Sequence, residues 1–410
     1  MLYDMVFEGG GAKGMVFVGA LQELDARGHT PARLLGTSAG SIMATFLAAG
    51  YQMDEMLAAL TEQKDNKPVF MSFLQNPPPL TRDEVAHSDI RKLLKEINLK
   101  FVPDFIEDKM DDAIATALTD SPLTNRIFSF VELGGFYAAQ NFRDWLKTKL
   151  NSGVYPLDRG SFKKGEQRKF GDMTLAEFFD ATGVDLSLVA SNTSESELLI
   201  LNHRTAPDCP VVWGVRMSMS FPLLWQEVVW QPEWGKYRGR DISGDTVVDG
   251  GMLSNFPIEL FISDQPQVTS VMGDIVTDGL NVLGFLIDEK IEVPGVEAKT
   301  PAAKAIDLGQ LRPVVRVEKL INTMTQAHDK SVIEAYEQLV VRLPAKGYGT
   351  IEFDMSGQRR NALIAAGRQA TADYFNRLQA KKDSFSFGLE SSPEVTRSAA
   401  DKIAGSILFR

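Results

Sequence analysis

The sequence predicts an α/β fold with a mainly parallel central sheet. Three observations predict it. Short apolar runs alternate with glycine turns and helical patterns from the first residues onward. Further apolar runs recur near residues 185, 246 and 281. The chain has 410 residues, 44% of them apolar, enough to build a large core on both faces of such a sheet.

Tyr3 to Phe7 is a short apolar run that reads as a strand. Gly9-Gly10-Gly11-Ala12-Lys13-Gly14 is a turn that neither a strand nor a helix would tolerate. Met15 to Ala26 has helical spacing, with Val18, Leu21 and Leu24 near one face. Arg33 to Leu35 is a second strand-like run, and Gly36-Thr37-Ser38-Ala39-Gly40 is a second turn. Ser41 to Ala49 is rich in Ala, Leu and Met and reads as a buried helix. Together these make a βαβα unit, the signature of parallel strands.

From Tyr51 to about Lys169 the pattern changes. Pro77-Pro78-Pro79 marks a loop. Asp89 to Leu99 and Asp108 to Leu118 read as helices with acidic starts. Phe128, Phe130, Phe136, Tyr137, Phe142 and Trp145 add aromatic bulk. The expectation is a helical insertion over about 51–170 that caps the site; the plain alternative is that these rings pack its own core. Ser152 to Arg168 reads as a surface loop.

The α/β pattern then resumes. Thr174 to Phe179 is a short helix. Asp185 to Ala190 and Leu198 to Leu201 are strand-like, joined as a hairpin. Val211 to Ser220 is a buried helix. Thr246-Val247-Val248 is a strand that delivers Asp249 at its carboxyl end, where Gly250 and Gly251 turn the chain. Asn281 to Ile287 is a further buried strand, Leu311 to Gln338 a long helical pattern, Val340 to Leu343 and Thr350 to Phe353 edge strands, and Ser356 to Leu378 a last long helix. The organisation expected is one catalytic domain over 1–380, then a polar tail over 381–410 with a short helical segment near Thr396 to Leu408.

Gly36-x-Ser38-x-Gly40 fits a nucleophile elbow. Such an elbow needs a serine at a sharp strand-to-helix turn, with small residues two positions either side so that the hydroxyl stays uncovered. The following helix points its positive end at the serine. The plain alternative is a βα turn with a helix-capping serine. The Gly9–Gly14 loop emerges from the carboxyl end of the neighbouring strand, so the two turns can meet. Free amides in a glycine run suit an oxyanion hole, and Lys13 would add positive charge. Read by itself, Asp249-Gly250 is a common turn pair.

Taken together, Glu8-Gly9-Gly10-Gly11-Ala12-Lys13-Gly14, Gly36-Thr37-Ser38-Ala39-Gly40 and Asp249-Gly250-Gly251, with Asn255 and Pro257 behind, resemble the patatin-like phospholipase family. The resemblance extends through Arg216-Met217-Ser218-Met219-Ser220-Phe221-Pro222 and covers roughly residues 3–260. Glu8 stands where the family often has Asp, and Lys13 where it often has Arg. The resemblance implies a three-layer α/β/α fold and hydrolysis of lipid acyl esters of the phospholipase A or lysophospholipase type. Ser38 would be the nucleophile and Asp249 the base, with no histidine. Amides within Gly9, Gly10, Gly11, Ala12, Lys13 and Gly14, above all those of Gly10, Gly11 and Ala12, would hold the oxyanion. No cofactor and no metal are implied.

Two rival readings follow from the same residues. Gly9-x-Gly11-x-x-Gly14 matches a dinucleotide fingerprint, but no carboxylate ends the next strand. A Ser-His-Asp carboxylesterase would need a histidine after Asp249, which leaves only His328. Asp241-x-Ser243-x-Asp245 fails as a calcium loop for want of a glycine at its sixth place and an acid at its twelfth.

The net charge of −11 argues against a nucleic-acid partner and against general attraction to anionic lipid. One cysteine, Cys209, excludes an internal disulfide and fits a reducing compartment. No secretory signal and no span of about 18 apolar residues is legible. The expectation is therefore a cytoplasmic protein with peripheral membrane contact, although secretion by a signal-free route leaves no trace in sequence. Trp230 and Trp234, flanked by polar residues, are the expected bilayer contact. The plain alternative puts them in a pocket wall or the core.

Overall fold

A computed structural model describes residues 1–78, 88–89, 122–275, 281–295, 335–383 and 393–408. Its centre is an eight-stranded, mainly parallel sheet. β1 (Leu2–Phe7) and β2 (Thr30–Thr37) pair in parallel, as the first glycine-punctuated unit predicts. The path continues from β2 to β6 (Asp185–Asn192), and from β1 to β11 (Val282–Glu292) and β12 (Val340–Lys346), all in parallel. Two strands run against this grain beside β6: β7 (Glu197–Leu201) and β10 (Thr246–Asp249), with the short β9 (Val228–Val229) outside β10. Outside the sheet lie a small hairpin of β3 (Gln63–Lys64) and β4 (Lys67–Pro68), and a two-strand pairing of β5 (Gly135–Tyr137) with β8 (Leu223–Trp225).

Strand periodicity divides the core into two layers. Met5, Phe7 and Leu34 face one layer, which also holds α1 (Val16–Ala26), α2 (Ala39–Ala48) and α10 (Gly357–Asp383). Val6 and Leu35, one residue out of phase, face the other. That layer is closed by α8 (Glu259–Ile262), α9 (Pro266–Met272) and α11 (Pro393–Leu408). Ala400, Ala404 and Leu408 of α11 are buried there, at helical spacing. The buried ion pair of Arg33 Nη2 with Asp4 Oδ2, at 2.6 Å, ties β2 to β1.

Within 51–170 the described helices are α3 (Met53–Leu60), α4 (Pro122–Glu132) and α5 (Gln140–Leu150). Their aromatics join the main core rather than forming a separate one: Phe73, Phe142 and Trp145 contact one another, and Trp145 reaches Phe46 of α2. The predicted helices at Asp89 to Leu99 and Asp108 to Leu118 lie outside the described residues, apart from Asp89. Most of Leu311 to Gln338 also lies outside them. Thr350 to Phe353 is a turn, not an edge strand.

Arg168, expected on a surface loop, is 1% exposed. It donates to the carbonyls of Ala49 (3.0 Å) and Gly50 (2.8 Å) and pairs with Glu55. A cation here meets the negative end of α2, the helix that follows Ser38. α6 (Leu175–Thr182) starts with a capping box between Thr174 and Glu177, and α7 (Val211–Ser218) packs between the sheet and α5.

The tryptophan expectation is overturned. Trp230 is fully buried and Trp234 is 5% exposed. Strand alternation at β9 explains it, because Val229 faces solvent and the residues on either side face inward. Trp230 Nε1 donates to Gly235 O at 3.0 Å, and its ring meets Trp234 edge to face. Trp230→Ala should therefore destabilise the fold by about 3–5 kcal/mol, read as a lower denaturation midpoint, with loss on soluble and vesicle substrates alike. No helix among the described residues is long and apolar enough to cross a membrane.

Candidate active site

The site forms where the carboxyl ends of β1 and β2 meet β10, which arrives from the opposite direction. β2 ends at Thr37, and Ser38 turns the chain into α2 with φ 51° and ψ −118°. A non-glycine residue rarely adopts positive φ, so surrounding structure must hold it. Close packing does so. A Cβ at Gly40 would lie 2.2 Å from Phe7 O, and one at Gly36 would lie 2.3 Å from Gly40 O. The Ser38 amide donates to Ser218 Oγ (3.0 Å), and the Ser38 carbonyl accepts from the Ser41 amide and hydroxyl.

β10 pairs with β6 so that Asp249 lies opposite Ala190, next to Val189, the partner of Thr37 in β2. This register brings Asp249 beside Ser38, whose side chain acts to lower the carboxyl pKa. Asp249 Oδ1 also accepts the Gly251 amide (2.8 Å), and the Asp249 amide donates to Ser220 O (3.0 Å). Asp249 is only 4% exposed. Burial raises its pKa from an ordinary 3.8 to about 7, against the downward pull of the Gly251 amide and the Ser38 side chain. Gly250 packs on Val189, where a Cβ would lie 2.5 Å from the carbonyl oxygen.

The glycine loop lies alongside. A Cβ at Gly9 would stand 3.1 Å from Ser38 Cβ and 2.3 Å from Asn255 Oδ1. Gly9 O accepts Asn255 Nδ2 at 3.0 Å. The amides of Gly10 and Gly11 have no acceptor among the described residues, while other amides of the loop are occupied. The Ala12 amide donates to Thr350 O (2.8 Å), which removes Ala12 from the expected oxyanion donors. The Gly9 amide makes a long bond to Asn255 O (3.4 Å), and the Lys13 amide donates to Gly10 O (3.2 Å). Lys13 does not leave a free positive charge at the site: it is buried, and its Nζ pairs with Glu289. Gly14 lies under the elbow helix, where a Cβ would be 2.8 Å from Ala39 Cβ.

Several residues that hold this geometry carried no assigned role in the sequence. Glu8 accepts Ile287 N (2.5 Å) and Asn255 Nδ2 (3.1 Å), clamping the loop to β11 and to the turn after Asp249. Ser218 and Ser220 belong to the Arg216–Pro222 stretch, so a signal was present for them. Thr350 had none, because its contribution is a backbone carbonyl. Of the histidines, His29 packs against Tyr3 and Phe375, and His203 stacks on Phe179 beside Asp185. His87 and His328 lie outside the described residues.

Fold and site together define a mixed α/β protein with a serine at a strained elbow, next to a buried aspartate and a glycine loop. The chain belongs to the patatin-like phospholipase family, whose model matches residues 5–262. It is 27% identical over 381 residues to the uncharacterized protein YqhO of Bacillus subtilis strain 168, covering 90% of this chain and 97% of that one. It is 23% identical over 258 residues to the protein 463L of Invertebrate iridescent virus 6, described as a probable lipid hydrolase, covering 63% of this chain and 62% of the viral one. VipD from Legionella pneumophila is similar at a TM-score of 0.42 and 16% identity, over 98% of this chain and 75% of VipD.

Proposed function

We propose that this protein hydrolyses acyl ester bonds of lipids, in the manner of a phospholipase A2 or lysophospholipase, through a Ser38–Asp249 dyad. The observation that carries the reading is a buried Asp249, its pKa raised to about 7, set beside Ser38 and two amides that have no acceptor among the described residues. Family membership supports the lipid substrate. The Ser38 hydroxyl attacks the ester carbonyl as Asp249 takes its proton. The carbonyl oxygen becomes an anion and is held by the amides of Gly10 and Gly11. Asp249 then gives the proton to the departing alcohol. In the second half Asp249 takes a proton from water, which attacks the acyl-enzyme, and the proton returns to Ser38. One carboxyl group with a pKa near working pH can serve as base and then as acid.

A fluorophosphonate probe tests the nucleophile, and mass spectrometry of a phospholipid and lysophospholipid panel tests the substrate class. Labelling that persists in Ser38→Ala, or a panel with no acyl ester cleaved, overturns the reading. The glycine loop has its own test. A Cβ at Gly10 would meet Ile287 Cδ1 at 2.2 Å, the movable end of a side chain, whereas one at Gly11 would meet the Thr350 carbonyl oxygen at 2.2 Å with φ at +55°. Gly11→Ala must therefore shift the loop and its amides, whereas Gly10→Ala, which keeps its N–H, is the milder control. Gly11→Ala should lower kcat by about 10²–10³ with little change in KM. A pure KM effect would show that the loop binds substrate and not the oxyanion.

A further inference from the structure

A cavity of 430 Å³ that neither Ser38 nor Asp249 lines lies between the start of α5, Trp213 and Arg216 of α7, and the segment from Gln226 to Trp234. Two arginines line it. Arg216 is 3% exposed, yet no carboxylate lies within ion-pair distance of it among the described residues. It donates through Nη1 to Ser220 Oγ and through Nη2 to Gln226 O (2.7 Å), and its other donors have no acceptor among the described residues. Arg143 is half-buried, with its guanidinium 4.1 Å from the centre of the Trp213 ring and Nη2 donating to Gln140 Oε1. It too has no carboxylate in ion-pair distance among the described residues. Glu227 and Glu233 also line the cavity, but both face solvent.

Two like charges in one cavity repel. Burial, and then the charge of Arg143, push Arg216 down to about 9, so it is still cationic at neutral pH. A buried guanidinium without a counterion is costly, and evolution rarely leaves one unless it is paired in the working state. The Ser220 and Gln226 bonds hold the Arg216 fork in place beforehand, and the Trp213 ring does the same for Arg143. Paired planar forks with spare donors match the oxygens of a phosphate better than a single carboxylate. We propose that this cavity is an anion site in which Arg143 and Arg216 bind a phosphate monoester group. Free phosphate and a lipid headgroup share that chemistry. The inference does not depend on the dyad, because neither Ser38 nor Asp249 lines the cavity.

The test is calorimetric titration of the full chain with inorganic phosphate in chloride buffer. A second arm measures co-sedimentation with phosphatidylcholine vesicles carrying phosphatidic acid, both ether-linked so that no esterase cleaves them. Arg143→Gln, at a half-exposed position, should keep the fold and weaken binding about tenfold or more. Arg216→Lys keeps the charge but loses the fork, and should also weaken it. Saturable, Arg143-dependent binding of inorganic phosphate supports the proposal with free phosphate as ligand. Arg143-dependent sedimentation with phosphatidic acid, without saturation by inorganic phosphate, supports it with a headgroup as ligand. Binding of neither, or binding unchanged in Arg143→Gln, overturns it.

Discussion

Ser38→Ala should abolish ester turnover, by about 10⁴-fold or more, while leaving the denaturation midpoint nearly unchanged. The hydroxyl is the group that would form the acyl-enzyme. The fold should tolerate its loss, because the elbow is held by backbone contacts: the Ser38 amide on Ser218 and the Ser38 carbonyl on Ser41. Alanine carries the same Cβ, so it meets the same positive φ. His203→Ala should keep most activity, since that ring lies against Phe179 and Asp185. Steady-state rates on a soluble ester and a fluorophosphonate gel check both variants. A histidine variant as damaged as Ser38→Ala would replace the dyad with a triad.

Asp249→Asn should remove activity to a similar degree and at the same time stabilise the fold. The carboxyl is buried, and its pKa is raised from 3.8 to about 7. Below about pH 3.8 the group is neutral in both states and costs nothing through ionisation. As pH rises from there toward 7, the unfolded chain has lost its proton while the folded chain keeps it, so stability falls with pH. Above about 7 the folded protein carries the buried charge and the loss is complete, at most about 4 kcal/mol. Asparagine avoids that charge and can still accept the Gly251 amide. The expected result is a raised denaturation midpoint at pH 8 that vanishes near pH 4. Activity of the wild type should follow the opposite course, rising with pH through about 7 as the base ionises. A wild-type profile with its acid limb near pH 4 would remove Asp249 as the proton acceptor.

The parts of this site that were legible in sequence are those whose chemistry is local. Gly36 and Gly40 around Ser38 declare a sharp turn because only residues without a side chain permit the approach to Phe7 that the structure shows. The glycine run from Gly9 declares unshielded amides for the same reason. Asp249 before two glycines marks a strand end. The alternation of apolar runs with helices declares the parallel sheet, and the two faces of β1 and β2 sort their residues into the two layers by period alone.

What sequence left undecided was which of several equivalent groups is free and which is used. Ala12, Gly10 and Gly11 have the same backbone donor. Only the position of the Thr350 carbonyl, more than three hundred residues away, takes Ala12 out of the set. Lys13 carries a charge in any sequence, and its pairing with Glu289 depends on where β11 runs. Arg168 and Trp230 sit in polar surroundings along the chain and in closed ones in space. The antiparallel course of β10, which carries Asp249 to Ser38, is likewise a matter of long-range pairing. The fold class, the sharp turn at Ser38, the open glycine run and the strand end at Asp249 could be read from the chain, because each rests on the steric and hydrogen-bonding limits of a few adjacent residues. The tertiary structure alone decided which amides remain open, which charges are cancelled and which aromatics are buried, because those depend on partners brought together by chain crossings.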